Sequence, residues 1–482
     1  MKNSFYKLFT ILLVIIISPN CFSQAGTLDQ NFDPGSKVLG SITTISVDTN
    51  DMILIGGSFT SYDGVSINKI ARLFDDGTID TSFQVGTGFD NDVKKIHVQS
   101  DGKIMVGGSF DSYNGRTAGK LCRLNANGTM DTTFDVKGGA KNYYVDQIER
   151  KLDGSYVVDG AFTNWYRPGT AISYYLGSSE ALCLDATGLL KSGTDRIAHS
   201  SSGYYSAYHV GGPYSYLFSF GKEGIRNITS PTAFPNQTLS SMGISDSTST
   251  NVILVQDDGK IIVGWSHPSS KSNYHCLQKY NSDGTKDNVM KGVVNNNGHT
   301  GINSIIQDDY GNTYLGGNFS SYSSHSINNF CRLNATGAID NTWAYNGGVF
   351  YATDGPNSTV NQIVVQKKGA AIIIGSFTKY DNIERKGIAR IYTQLITEVE
   401  AKTKTEDGVF LGPNPSTGTF TVNSQHEVCN IKVYNSAGLL VKDMTNNICN
   451  TNGATFHLNK SGVYVVKIQL NSKSITKKVI VN

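Results

Sequence analysis

Residues 95–134 read KIHVQSDGKIMVGGSFDSYNGRTAGKLCRLNANGTMDTTF, and this stretch decides the fold because it recurs. Residues 44–83 and 304–343 repeat it closely, and 147–166, 252–265 with 275–287, and 362–392 repeat it more loosely. The strand ending in Gly-Gly serves as a ruler. Its markers fall at Gly56, Gly107, Asp159, Gly264, Gly316 and Ile374, with gaps of 51, 52, 105, 52 and 58 residues. The 105-residue gap has room for one degenerate copy, placed on YYSAYHVGGPYSYLFSFG (204–221), which makes seven units. A fixed period of this length marks a fold assembled from one supersecondary unit.

Within each unit Ile96 and Val98, then Ile104 and Val106, alternate with polar neighbours, which is strand periodicity. Asp101-Gly102 and Asp258-Gly259 stand between such strands, where a two-residue hairpin turn wants positive φ. A third strand (LCRLN), a second turn (Asn127-Gly128, Asp283-Gly284) and a fourth strand (MDTTF) complete the unit. Four short antiparallel strands in about 50 residues make a propeller blade, and a linear β-solenoid is the alternative. The ends of the body favour a ring. The seventh unit stops after ARIYTQ without the Asp-Gly-Thr-x-Asp-x-x-Phe ending, and that ending stands instead at Gly26-Thr27-Leu28-Asp29-Gln30-Asn31-Phe32. An N-terminal strand that completes the last blade leaves no exposed edge.

The DGKI-VGG-F core, the Gly-rich loop, the short R-L-N strand and the DGT-D-F ending resemble the delta-60 repeat, a bacterial β-propeller repeat. The resemblance spans about 26–395, strongest in units one, two and six and weakest over 165–250. It implies a fold and an extracellular setting, with no common chemistry.

The N-terminus sets the compartment. Lys2 and Lys7 precede an apolar run from Leu8 to Ile17, which Ser18, Pro19 and Asn20 break. Ser23 and Ala25 then offer small residues for cleavage after Ala25. This is the pattern of a secretory signal peptide, residues 1–25. A transmembrane anchor is the alternative, but the run is short of the ~20 residues a bilayer needs. Cys21 would suit a lipoprotein were Asn20 not before it. No later stretch is apolar enough to span a membrane.

After a polar linker, 396–408, alternating strands with Asn-Pro, Ser-Ala-Gly and Lys-Ser-Gly turns run over 409–482. They make a small Ig-like β-sandwich. Pro413-Asn414-Pro415-Ser416-x-Gly418, Val433-Tyr434-Asn435-x-x-Gly438, Leu458, Ser461-Gly462-Val463-Tyr464 and the closing Lys477-Lys478-Val479-Ile480-Val481 resemble the type A C-terminal sorting domain of the type IX secretion system of Bacteroidetes. The resemblance implies that this module engages the secretion machinery, crosses the outer membrane and is removed by a sortase. The cargo is then released or coupled to the surface. An Ig-like binding module that stays attached is the alternative.

The site is harder to read. Forty-one basic and 39 acidic residues leave a net charge of +2, which gives no electrostatic reason to expect nucleic acid or an anionic membrane. The nine histidines are scattered, and there is no H-E-x-x-H, P-loop, G-x-S-x-G or C-x-x-C, so no cofactor, metal or catalytic residue is assigned. The Asp-Gly pairs recur at one turn and need no calcium or glycosidase explanation. Cys122, Cys183, Cys276 and Cys331 are read as one third-strand slot for a small buried residue, held elsewhere by Ala71 and Ala389, and as reduced thiols. Cys429 and Cys449, both in the C-terminal module, could pair. Where the repeats disagree, unit three carries Trp165, Tyr166 and Arg167 in place of Ser-Tyr-Asp-Gly, with Tyr174, Tyr175, Tyr204, Tyr205, Tyr208, Tyr214 and Tyr216 downstream. Aromatic rings beside amides suit sugars, and blade packing is the other explanation.

The expectation is therefore an all-β protein: a seven-bladed β-propeller (26–395) followed by the Ig-like sandwich (409–482). It would be secreted or held on the outer-membrane surface and bind a glycan or a protein, more a scaffold than an enzyme. The alternative is a polysaccharide hydrolase or lyase working at the propeller mouth. Two or more acids or a His gathered there without counterparts in other blades would favour it.

Overall fold

The computed structural model describes residues 25–34, 37–136, 139–151, 154–162, 164–166, 173–175, 180–190, 196–198, 206–209, 216–221, 224–227, 249–256, 258–267, 276–287, 290, 293–294, 300–323, 325–340, 343, 355–393, 409–412, 418–424, 428–435, 439–444, 454–460, 462–470 and 474–481. They are all-β, and among them no helix is long and apolar enough to cross a membrane. The chain divides into two compact units, one of them Gln24–Gln394.

That unit repeats one antiparallel sheet. In its second copy, Val93–Val98 pairs with Ile104–Gly108, which pairs with Leu121–Leu124. The central strand is wholly buried and the first strand half-buried, so the interior forms between sheets. The Gly-Gly ruler holds to the residue, for Gly56, Gly107, Asp159, Gly264, Gly316 and Ile374 all sit opposite equivalent partners. Glycine is favoured there by close packing. A Cβ on Gly56 would lie 2.6 Å from Val93 Cγ1 of the next sheet. Over 206–227 the weakest copy forms a three-stranded sheet.

First strands of successive sheets lie side by side. Ile42–Val47 neighbours Val93–Val98, which neighbours Val145–Arg150, then Ser206–His209, Ser249–Val255, Thr300–Gln307 and Val360–Gln366. The last of these returns to Ile42–Val47, where Gln362 accepts from Ile45 N at 3.0 Å and donates to its carbonyl at 2.9 Å. The body closes on itself.

The closure uses the same parts as three other junctions. In three units a third-strand arginine binds the aspartate of the Asp-x-x-aromatic ending and lies over its aromatic ring. The pairs are Arg72–Asp80 over Phe83, Arg123–Asp131 over Phe134 and Arg332–Asp340 over Trp343, each ion pair at 2.7 Å. Each arginine also donates to a carbonyl of the following unit, those of Ala126, Ala186 and Thr393. Arg390 of the last unit finds Asp29 at 2.6 Å and lies over Phe32, both from the N-terminal segment, and it reaches Asp75 of the first unit at 2.9 Å. Leu28 bridges Ile391, with Asp29 N donating to Arg390 O and Tyr392 N to Thr27 O. Tyr113 and Tyr322 donate to the carbonyls of Gly128 and Gly337; Tyr380 donates instead to Gly26. The N-terminal segment stands in for the missing ending contact by contact.

Three local expectations change. The Asp-Gly hairpins place positive φ on the glycine alone (Gly102, +80°), with Gly102 N donating to Gln99 O and Gln99 N to Lys103 O. This is a type I turn with a glycine bulge rather than a two-residue loop. The fourth strand shrinks in units one, two and six to single bridges such as Leu124↔Met130. The reason is that Asp131 Oδ1 accepts from Thr133 N and Oγ1, an Asx turn that pulls the backbone out of the sheet. The shared cysteine slot also fails. Cys122 and Cys331 do lie opposite Val106 and Leu315, as Ala71 lies opposite Ile55. Cys183, however, occupies the arginine position opposite Val157, and Cys276 precedes its strand. All four cysteines are buried and outside any disulfide, and burial raises the pKa of Cys122 and Cys331.

In the C-terminal unit, Val409–Gly412, Thr419–Ser424 and Ala454–His457 form one sheet. Leu440–Asp443, Val428–Asn435, Gly462–Leu470 and Ser474–Val481 form a second. Phe420, Val422 and Phe456 of the first share one core with Ile431, Val433, Val466 and Val479 of the second. Only the backbone of Cys429 is described, and Cys449 lies outside the described residues, as do residues 1–24 and the polar segment 396–408.

Candidate functional site

Trp165 is a packing residue in this arrangement. It pairs with Ala140 as Tyr62 pairs with Val38 and Tyr113 with Phe89, so it fills the slot of the recurring loop tyrosine. Its side chain is 1% exposed and meets Phe162 edge-on at 5.7 Å. An indole enclosed in this way has no face to offer a sugar. The side chain of Tyr166 and all of Arg167 lie outside the described residues.

A different cluster stands out once the units are compared position by position. Six of the seven first strands carry a β-bulge near their start, Ser206–His209 being the exception, and bulges re-aim side chains. The bulged residues are Thr43, Lys94, Asp146, Asn251, Asn303 and Asn361. Thr43 and Asn303 use the bulge to donate to Val93 O and Val360 O of the next unit, at 2.7 and 3.2 Å. Lys94 and Asp146 instead bring charges. Further along the strand, His97 and Glu149 stand where other units have Ser46, Leu254, Ile306 and Val364. Just before the bulge, Tyr143 and Tyr144 replace Asn91-Asp92 and Gly40-Ser41. Finally Asp159 takes the ruler position that glycine holds in four other units, facing the next sheet.

These groups interact. Lys95 Nζ lies 3.9 Å from Glu149 Oε1, and the Lys94 ammonium sits 4.4 Å from the Tyr144 ring centroid. Burial and the Asp159 carboxylate push Asp146 up to about 6, against the pull of Lys94 and Lys95. Burial raises Glu149 despite Lys95. Burial, with Lys95 and Arg150 nearby, drives His97 down to about 4. Asn142 and Tyr143 both have positive φ, +60° and +57°. That is rare for a residue as bulky as tyrosine, and Tyr143 is 64% exposed.

The Asp-Gly carboxylates are engaged in their own turns, Asp101 accepting from Lys103 N at 3.1 Å and Asp258 from Lys260 N at 3.1 Å. Among the described residues no group of three or more His, Cys, Asp or Glu could hold a metal ion. A cavity of about 370 Å³ is bounded by Gln84, Tyr113, Asn114, Arg116 and Met130, and the Tyr113 hydroxyl is engaged with Gly128 O. Sequence reasoning singled out the third unit but missed Tyr143, Asp146 and Asp159. Reading KNYYVDQIER against the same columns of other units would have found them.

Comparison with known proteins agrees with the repeat and the tail. Residues 50–83, 99–134, 256–288 and 311–342 match the domain of unknown function DUF5122, a β-propeller family, and residues 411–482 match the secretion system C-terminal sorting domain. The chain thus carries DUF5122 β-propeller repeats and a type IX sorting domain. It is a secreted or cell-surface protein. Among solved structures it is similar to the AfRom2 CNH domain (8% identity, 81% of this chain and 94% of that one, TM-score 0.33). It is also similar to YCF48 from Cyanidioschyzon merolae (11% identity, 74% and 96%, TM-score 0.27). No curated protein matches the chain.

Proposed function

We propose that the protein is a seven-bladed propeller, exported after signal-peptide cleavage at Ala25 and carried across the outer membrane by an Ig-like sandwich over 409–482 that a sortase removes. The propeller then acts outside the cell as a binding module for a glycan or a protein. The circuit of first strands from Ile42–Val47 through Val360–Gln366 and back supports the blade number. Two sheets with a common core support the sandwich.

The observation that carries the binding role is that the third unit, with the neighbouring strand Val93–Val98, departs from the repeat at several neighbouring positions at once. There it replaces turn and packing residues with tyrosines, carboxylates and lysines. In a repeat fold each unit receives the same backbone, so such a local departure is where a specific task resides.

The second reading, a polysaccharide-cleaving enzyme, draws on Asp146 and Glu149, two carboxyls with raised pKa and no counterpart in the other described first strands. The engagement of Glu149 with Lys95 argues against it. The test is to incubate purified mature protein with polysaccharides and with extracellular proteins and to measure both retention and reducing-end release. Retention without release is expected. Catalytic release abolished by Glu149→Gln would establish the enzyme instead.

A further inference from the structure

We infer that the third unit, at the start of its first strand, holds a binding site for a neutral oligosaccharide, with Tyr143 as the stacking surface and Asp146, Asp159 and Lys94 as hydroxyl partners. The inference deepens the binding role proposed above and rests on it.

Four observations converge. First, the ring of Tyr143 is 64% exposed on a segment that runs from the Trp165 hairpin to the strand Val145–Arg150. The left-handed backbone of Asn142 and Tyr143 holds it in place. An exposed aromatic face of this kind matches the apolar C–H face of a pyranose.

Second, Asp146 lies three residues beyond that ring, with Asp159, Lys94 and Lys95 close enough to it to act on its charge. Asp146 is re-aimed by its bulge, Asp159 faces Gln147 across the sheet, and Lys94 is steadied by the Tyr144 ring. A sugar hydroxyl both donates and accepts; carboxylates accept and an ammonium donates, so the set serves both halves of each hydroxyl.

Third, the charges balance. Lys94, Lys95 and Arg150 stand against Asp146, Glu149 and Asp159, with His97 held neutral. A site with little net charge has no preference for a polyanion or a polycation and leaves a neutral polyol as the fitting class.

Fourth, Asp159 occupies the position that glycine holds in four other units and that Ile374 fills in the last. A Cβ on Gly107 would meet Val145 Cγ1 at 2.9 Å, and one on Gly316 would meet Val360 Cγ1 at 2.6 Å. Ile374 is buried in an apolar core, whereas a carboxylate at this position needs polar surroundings, which suits a polar crevice and not a dry seam.

The test is calorimetric titration of the full mature chain with neutral hexasaccharides of β-1,4-glucose, α-1,4-glucose, β-1,3-glucose, β-1,4-xylose and β-1,4-mannose, with oligogalacturonate as an anionic comparator. At least one neutral oligomer should bind. Tyr143→Ala should weaken it by about tenfold, the loss of one aromatic stacking partner. Asp146→Asn should weaken it less, and Tyr310→Ala, which removes an equally exposed ring in unit six, should leave it unchanged. Binding of the anionic comparator alone, or neutral binding indifferent to Tyr143→Ala, overturns the inference. So does a wild type that captures a partner protein but no sugar, an outcome that leaves the binding role standing. A wild type that binds nothing overturns both.

Discussion

The ionisable pair at the second and third first strands makes a prediction that can be worked in numbers. Asp146 has its pKa raised to about 6 from the usual ~3.9, so burying its charge penalises the folded state above pH 6 and not below pH 4. His97 is shifted the other way, from ~6.5 to about 4, so burying its positive form penalises the folded state below pH 4 and not above pH 6.5. Each shift is about two pKa units or slightly more, up to ~3 kcal/mol, and about 2 kcal/mol after allowing for solvent at these half-buried groups. In the wild type the two slopes oppose each other and nearly cancel between pH 4 and 6.5. Each substitution exposes the other slope. Relative to wild type, Asp146→Asn should be about neutral at pH 4 and stabilising by about 2 kcal/mol at pH 7.5, since asparagine can also donate as Asn303 does. His97→Gln should show the reverse, a gain at pH 4 that fades by pH 7.5. Glu149 is raised as well, but it is present in every variant and drops out of the differences. Urea unfolding midpoints across pH 4 to 8 supply the test. Differences between variant and wild type that stay flat with pH would refute the reasoning.

Three further outcomes follow from the closure and the tail. Arg390→Ala strips Asp29 and Asp75 of their shared partner and leaves the nearly buried Asp29 carboxylate unpaired. It should cost about 3–5 kcal/mol in chemical unfolding, as much as Arg123→Ala in the middle of the body. Gly26→Val should destabilise the purified mature protein by at least about 1 kcal/mol in thermal unfolding, because φ is +92° and a Cβ would sit 3.0 Å from Trp343 Cδ1. Deleting 409–482 should trap the propeller in the periplasm, read by fractionation and surface protease, and unchanged surface display would contradict the sorting role.

The repeat was legible because period, strand alternation and turn residues all pointed to one unit, and the Gly-Gly ruler aligned residues that the sheets do place in equivalent positions. The closure was legible from a single displaced motif, residues 26–32. What the sequence concealed was set by competition at individual residues. Asp131 reads as part of a strand, yet its carboxylate draws the following backbone N–H into an Asx turn. Cys183 sits beside Leu182 in a string that matches the slot by eye, but register puts Leu182 there and Cys183 in the arginine position. Trp165 reads as a platform because unit three departs there from the Ser-Tyr-Asp-Gly loop of other units; the register shows it to be a tyrosine substitute in the interior. The Tyr143–Asp146 segment went unnoticed because no single residue in it is unusual. Its distinctiveness lies in three-dimensional equivalence to Gly, Ser, Thr and Asn elsewhere.

A ring closed by the segment Gly26–Phe32 is tested most directly by a cross-link between Leu28→Cys and Ile391→Cys. The two residues face each other as a non-hydrogen-bonded antiparallel pair, flanked by Asp29 N to Arg390 O at 2.8 Å and Tyr392 N to Thr27 O at 3.0 Å. Such a pair brings Cα atoms to about 4.5 Å, within disulfide reach. Mild oxidation of the mature double variant should give a near-complete intrachain disulfide, seen as one non-reducing species of monomer mass. It should also stabilise the chain, relative to its reduced form, by an amount on the order of 6 kcal/mol, because the closed loop spans 391 − 28 = 363 positions. The two introduced thiols staying reduced after oxidation, or disulfides formed only between molecules, would contradict the closure.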